Sequence, residues 1–202
     1  MLTKKQKRKL QLEHRVRRNP EKALLQDGEY LPQTLFESCV DECPRTAFIT
    51  EKLCSRLDRI QFELMCKQYY WDLTTYKHVV DRLTDIQFDE YVRIFPGSSI
   101  FSRHAVVRMS DAQFDYCIKT SPDLALSYNH SLERLSPEQF HFCVRRSPRA
   151  AVQKKACQRL TPVQFDEILK GYIITLSDFY MFIYVQDKLN PYQEAYLKKT
   201  IF

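Results

Sequence analysis

The sequence predicts an all-α fold built from about seven copies of one helical unit, and three observations predict it. The stretch Arg82-Leu83-Thr84-Asp85-Ile86-Gln87-Phe88 has a copy at Arg56–Phe62, 26 residues earlier, and another at Arg108–Phe114, 26 residues later. Further copies follow at Arg134–Phe140, after another 26, and at Arg159–Phe165, after 25. Each copy has the chemistry of a helix start. The composition agrees: 3 Gly among 202 residues, against 12 Tyr and 13 Phe, leaves little material for tight turns and much for packed helices.

The helix start is readable residue by residue. With Asp58, Thr84, Ser110, Ser136 or Thr161 at the N-cap, its side-chain oxygen accepts from a backbone N–H of the first turn. The Gln three residues on reaches back to the N-cap N–H, completing a capping box. Leu57, Leu83, Met109, Leu135 and Leu160 precede the cap, and Phe62, Phe88, Phe114, Phe140 and Phe165 stand at N4, the pair of positions that forms a hydrophobic staple. Pro137 and Pro162 fall at N1, where the missing N–H has no helical partner to lose. Folding alone therefore accounts for the repeated Gln and Phe.

The chain opens with Leu2-Thr3-Lys4-Lys5-Gln6, a divergent copy of the motif in which Lys7 replaces the Phe. Its helix is expected to run to about Arg18 with a thin apolar stripe of Leu10, Leu12 and Val16, as suits a terminal repeat with a wet outer face. Asn19-Pro20 starts a second helix with Ala23 and Leu24 turned inward, and Asp27-Gly28 ends it. The second repeat begins at Leu31-Pro32, with Phe36 in the staple position.

Cys43-Pro44, Phe95-Pro96, Ser121-Pro122 and Ser147-Pro148 place a proline eight residues after the staple Phe. A proline there ends the first helix and opens the second. Each unit is thus a hairpin of two helices of about ten residues, the second of them continuous, 3₁₀ or broken. The repeats fall at about 2–30, 31–56, 57–82, 83–108, 109–134, 135–159 and 160–188, within a single domain spanning 1–202.

The third repeat carries Tyr69-Tyr70-Trp71-Asp72 where its neighbours have Pro. This is either a local repacking or an aromatic anchor for a partner. From Gly171 the spacing lengthens, and Leu189-Asn190-Pro191-Tyr192-Gln193 restarts the motif for a closing helix over 189–202. Before it, residues 179–185 have no polar face at helical spacing, so that segment is expected to be sealed by 189–202 or to form a homodimer contact.

Stacked helical pairs of this kind resemble the α-solenoid class, which implies that each pair packs on its neighbours. Leu135-Ser136-Pro137-Glu138-Gln139 is also similar to the opening of the repeats of TAL-effector DNA-binding proteins, and the Ser-Pro spacing resembles that of leucine-rich-variant repeats. TAL repeats are longer and read bases through a Gly-containing loop that Pro replaces here. No functional residue is carried over from either family.

At 202 residues the chain can bury about 70% of its unfolded surface as one domain. Its 7 Cys, an odd number without a CxxC pair, argue against a disulfide framework or a zinc site. Cys39, Cys117 and Cys143 share one repeat slot with Met65, Tyr91 and Ile168, which reads as small core residues in a reducing compartment. No apolar run suffices to span a bilayer and none follows the basic N-terminus, so neither a membrane anchor nor a signal peptide is expected and the cytoplasm is the expected location. Of the net charge of +6, residues 1–22 carry +7, from nine Lys/Arg and two Glu, which leaves −1 for the remainder.

Following each repeat position through the copies gives rows of side chains spaced by roughly 10 Å. Glu63, Asp89, Asp115 and Asp166 stand four residues before Lys67, Arg93, Lys119 and Lys170, a set of pairs that reads as a solvated helix face. Lys52, His78, His104, His130 and Lys155 form a second row. Its histidines are too far apart to share a metal ion, and the row reads as a wet face or as donors toward an acidic partner. Arg56, Arg82, Arg108, Arg134 and Arg159 form a third, either complementing a helix C-terminus and an acid near the next cap or offering a stripe to phosphates. The sharpest local cluster is Arg145, Arg146, Arg149, Lys154, Lys155 and Arg159, where His141 stands in place of the acid that would otherwise face Arg145.

No Gly-rich phosphate loop, HExxH pair or nucleophile motif is present, so an enzyme is the least supported class and no cofactor is expected. The expected function is a non-enzymatic protein-interaction scaffold, an adaptor or inhibitor. Its candidate partner-binding residues are Tyr69, Tyr70, Trp71, His78, His104, His130, Arg145, Arg146, Arg149, Lys154 and Lys155. The alternative is nucleic-acid binding through phosphate contacts from Lys4, Lys5, Lys7, Arg8 and Lys9 together with the Arg145–Arg159 cluster.

Overall fold

The computed structural model describes residues 3–69, 75–152 and 154–171, with Pro191 and Ala195 besides. Every element among them is helical and none is a strand. The chain separates into two compact units, Met1–Phe88 and Asp89–Phe202. The first holds α1 (Lys4–Arg18), α2 (Pro20–Asp27), α3 (Gln33–Glu42), a 3₁₀ helix (Pro44–Phe48), α4 (Glu51–Arg56), α5 (Arg59–Gln68) and α6 (Lys77–Arg82). Helix α7 (Asp85–Ile94) crosses the division. The second unit continues with α8 (Pro96–Phe101), α9 (Arg103–Arg108), α10 (Asp111–Thr120), α11 (Pro122–Ser127), α12 (Asn129–Arg134), α13 (Pro137–Arg146), α14 (Pro148–Ala151), α15 (Lys154–Arg159) and α16 (Pro162–Gly171).

The capping boxes form as the sequence requires. Thr3, Asp58, Thr84, Ser110, Ser136 and Thr161 each accept from the N–H of the Gln three residues on, at 2.7–3.2 Å. Each Gln Oε1 accepts from the cap's own N–H at 2.8–3.0 Å. Pro32 caps α3 without a side-chain bond, as a residue lacking a side-chain acceptor must. Both halves of every staple are buried: Leu31, Leu57, Leu83, Met109, Leu135 and Leu160, with Phe36, Phe62, Phe88, Phe114, Phe140 and Phe165. Cys39, Met65, Tyr91, Cys117, Cys143 and Ile168 are core residues, one per repeat.

Of the forms expected for the second helix of the hairpin, the broken one is found, except in the first repeat, which keeps two helices of 15 and 8 residues. In the repeats at 31–56, 83–108, 109–134 and 135–159 the first helix has ten residues, and a piece of four to six residues and another of six follow. The breaks recur at one register, at Thr50, Ser102 and Tyr128, each in extended backbone, and Tyr76 has the same conformation at the same register ahead of α6. At two of them a hydroxyl rebuilds an N-cap, Thr50 accepting from Leu53 N–H and Ser102 from Ala105 N–H, both at 3.2 Å. The prolines behave as expected: Pro44, Pro96, Pro122 and Pro148 open the second piece. The residues before Pro44, Pro96, Pro122 and Pro148 share φ between −139° and −127° and ψ between 59° and 65°.

In the first repeat Val16, Ala23 and Leu24 are buried, but Leu10 is 50% exposed, so the apolar stripe of α1 is thinner than its sequence suggests. Gly28 follows α2 where a side chain would collide with the Leu24 carbonyl oxygen and Leu53 Cδ2, a close approach that only glycine allows.

All seven cysteines are free thiols, and five are buried. Burial pushes Cys66, Cys117 and Cys143 up to about 12, and Cys157 to about 11, from an ordinary value of 9.0. The fold therefore holds these protons in a range where the unfolded chain releases them, and the stability they contribute is complete below pH 9 and lost as pH rises toward 12. The urea midpoint is accordingly expected to be level up to about pH 8 and to fall above pH 9. The double variant Cys117→Ala/Cys143→Ala should show a shallower fall; an unchanged pH slope would contradict the burial of these thiols.

Candidate functional site

Each of the three rows makes bonds from one repeat to the one before it. In the arginine row each guanidinium reaches back one repeat. Arg56 donates to the carbonyls of Gly28 and, at 2.7 Å, Leu31; Arg82 to those of Cys54 and, at 2.6 Å, Leu57. Arg134 donates to Val106 and, at 2.9 Å, Met109; Arg159 to Leu132 and, at 3.2 Å, Leu135. The same guanidiniums lie over the staple rings of their own repeats, with 4.1 Å from Arg56 to the Phe36 centroid, 4.3 Å from Arg82 to Phe62, 4.5 Å from Arg134 to Phe114 and 4.6 Å from Arg159 to Phe140. Arg108 is also engaged. Arg56, Arg82, Arg134 and Arg159 cap the last carbonyls of the repeat before their own, where the helix dipole is negative. The acid that Arg134 meets, Asp111 at 2.9 Å, stands beside the cap that opens its own repeat, not near the next cap.

The acid row carries the second ladder. Asp89 pairs with Arg93 and Asp115 with Lys119, each at 2.6 Å, as their spacing predicts. Glu63 instead meets Arg59 at 2.8 Å. The acids also receive a bond across repeats, because the capping-box Gln has an amide NH₂ left over: Gln113 Nε2 donates to Asp89 at 3.2 Å and Gln139 Nε2 to Asp115 at 3.3 Å. Lys119, with help from Gln139, holds the Asp115 carboxyl below its usual range despite some burial. A face expected to be merely solvated thus joins adjacent repeats.

The histidine row is half-buried. Nε2 of His78 bonds the Phe48 carbonyl at 2.8 Å and that of His130 the Ile100 carbonyl at 2.9 Å, while Tyr76 and Tyr128 stack on the two rings. His104 is half-buried on α9. Lys52 is paired with Glu29 at 2.8 Å, and Lys155 is exposed. Among the described residues no group of three His, Cys, Asp or Glu side chains is placed to hold a metal ion, and no helix is long and apolar enough to cross a membrane.

Tyr69 ends α5 half-buried, with the Arg45 guanidinium 5.4 Å from its ring centre. Tyr70 and Trp71, the side chains of Lys5 and Lys154, the 179–185 segment and the closing helix of 189–202 lie outside the described residues. On α1, Lys4, Lys7, Arg8 and Lys9 are exposed, with Lys9 3.9 Å from Glu13.

The basic cluster around α13 divides. Arg159 belongs to the arginine ladder, whereas Arg145, Arg146 and Arg149 are exposed. Arg145 lines an open cleft of about 240 Å³ between α13 and α16, together with His141, Val144, Pro148, Gln164, Glu167 and Ile168. The cleft's second wall, Gln164 and Glu167, was not singled out from sequence; the capping role of Gln164 hid it. Exposed apolar side chains were missed as well: in the first unit Ile60 is 69% exposed, Leu64 61% and Ile86 82%. Their signal was available, since Ile60 and Ile86 occupy one repeat position, at the second residue of the first helix.

The class these observations define is an all-α protein in which, among the described residues, a ten-residue helix followed by two short ones recurs four times. No family model, no curated protein and no solved structure matches the chain.

Proposed function

We propose that the chain is a non-enzymatic protein-interaction scaffold, an adaptor or inhibitor that covers a partner protein's surface, and that its repeats continue through 1–202 as one α-solenoid. The observation that carries this reading is the solvent-facing Ile60 and Leu64, one turn apart on α5, with Ile86 exposed at the position of Ile60 in the next repeat. An amphipathic helix puts polar residues on its outer face, and apolar ones kept there suit a contact with another protein. The recurring polar residues support the same reading, because capping and the bonds between repeats use the Gln and Arg side chains, and those of His78 and His130, that could otherwise act on a substrate. Free thiols, five of them buried, suit a reducing compartment such as the cytoplasm.

A second reading has its own observation. Lys4, Lys7 and Arg8 are exposed at helical spacing on α1, where they can meet a phosphate chain. One experiment separates the two. The full chain, isolated from its native cells, is expected to retain a stoichiometric protein partner after nuclease treatment and to lose it on Leu64→Asp with helical content unchanged. Release of all bound material by nuclease, or full retention by Leu64→Asp, would overturn the scaffold reading in favour of phosphate contacts or of another face.

A further inference from the structure

Within the second unit one junction departs from the ladder. Arg93 and Lys119 are each neutralised by an aspartate four residues earlier, at 2.6 Å. In α13 that place is held by His141, and among the described residues Arg145 has no ion-pair partner. The replacement also changes the inter-repeat bond: Gln164 Nε2 stands 3.2 Å from His141 Nδ1, where Gln113 and Gln139 meet a carboxylate. With Nδ1 accepting from the amide, the ring proton sits on Nε2. The junction thus exchanges a carboxylate for an N–H donor and releases a guanidinium at the mouth of a cleft.

The geometry points to this cleft as a docking site for an acidic peptide segment of a partner protein. A Glu or Asp carboxylate is received by Arg145, and a neighbouring apolar side chain rests on Val144, Pro148 and Ile168. This rests on the scaffold reading and supplies the chemistry of a partner. The volume, about 240 Å³, falls below the roughly 300–1,000 Å³ of small-molecule sites and suits one side chain of a peptide. Its lining is apolar at the three residues named and cationic at Arg145, and an exposed guanidinium can take a carboxylate through two parallel N–H bonds. Exposed Arg146 adds positive field that draws an acidic segment in.

Glu167 on the opposite wall decides between polymers. Its carboxylate repels any anion, but a peptide also brings a backbone N–H or a basic side chain to meet it, which a phosphate chain does not. The lining also lacks a Phe, Tyr or Trp ring on which a base could stack, so single-stranded nucleic acid is the poorer occupant.

The test is fluorescence anisotropy of the full chain with three labelled probes: a Glu-Leu repeat peptide, the same peptide with Gln for every Glu, and single-stranded oligothymidylate. The Glu-Leu peptide is expected to bind about tenfold more tightly than its Gln counterpart. Arg145→Ala should weaken it by about tenfold. The deciding variant is His141→Asp, which removes no cation. It restores the acid that pairs Arg145 and gives Gln164 the acceptor found at the other junctions, so it should melt no lower than the parent yet bind the peptide about tenfold more weakly.

Unchanged peptide affinity in both variants, no peptide binding, or tighter binding of oligothymidylate than of peptide would each overturn the proposal. Failure here with the native partner still retained in a Leu64-dependent way removes the cleft and spares the scaffold. Loss of that partner requirement with peptide binding intact does the reverse.

Discussion

Replacing Arg134 by Met is expected to lower the stability of the fold by about 3 kcal/mol, a large fraction of what a domain of this size has to lose. The guanidinium gives charge-assisted bonds to the Val106 and Met109 carbonyls and covers the Phe114 ring at 4.5 Å. Met keeps the aliphatic stem but leaves both part-buried carbonyls without a donor, and each orphaned group costs about 1–3 kcal/mol. The loss of the cation over the ring adds about 0.5–1 kcal/mol. The Asp111 bond contributes little, because that aspartate is fully exposed while the Arg134 side chain is 24% exposed. Urea denaturation should show a lower midpoint with the slope unchanged. Arg134→Lys should recover less than half of the loss, since an ammonium is a point charge that cannot fork between two carbonyls and a ring. A loss below about 1 kcal/mol in the Met variant would show that water replaces the guanidinium at little cost.

How far the residues disclosed this arrangement follows from what is local and what is not. The caps at Ser110 and Ser136, the staple of Met109 with Phe114 and the prolines at 96, 122 and 148 each act within a few residues of themselves, so spacing along the chain was enough to read them. The break at Ser102 and Tyr128 was less legible. A six-residue helix is under two turns, too short for a period to register, and the serine cap at 102 has a tyrosine in its place one repeat later. The ladders were illegible for another reason. Arg134 was read beside its sequence neighbours, yet it bonds residues 25 and 28 positions earlier. Gln113 and Gln139 were fully explained by capping through Oε1, which concealed that Nε2 still had a bond to give, 24 residues back. At the cleft the sequence showed that His141 interrupts the acid row, because an interruption is visible against a repeat. It did not show Glu167 facing Arg145 across the opening, which depends on how α16 lies on α13.

Phe114→Ala is expected to cost about 3–5 kcal/mol, the largest effect of any single truncation proposed for this chain. The ring is 2% exposed at N4 of α10, closes the staple with Met109 and is the surface on which Arg134 lies, so its loss opens a cavity and removes the platform of the ladder together. Helix α10 packs on both α8 and α13, so the surrounding backbone is held on two sides and cannot collapse freely into the space. The cap beside it is worth less: Ser110→Ala should cost about 1 kcal/mol, because it removes one exposed bond and leaves the ring in place. Since the ring and the guanidinium touch, the two losses should not add. The double variant Arg134→Met/Phe114→Ala should lie at least 0.5 kcal/mol, on the order of a contact coupling, above the sum of the singles in stability. Strict additivity in urea denaturation would mean that the cation and the ring act independently, and would leave the carbonyl bonds alone to join one repeat to the next.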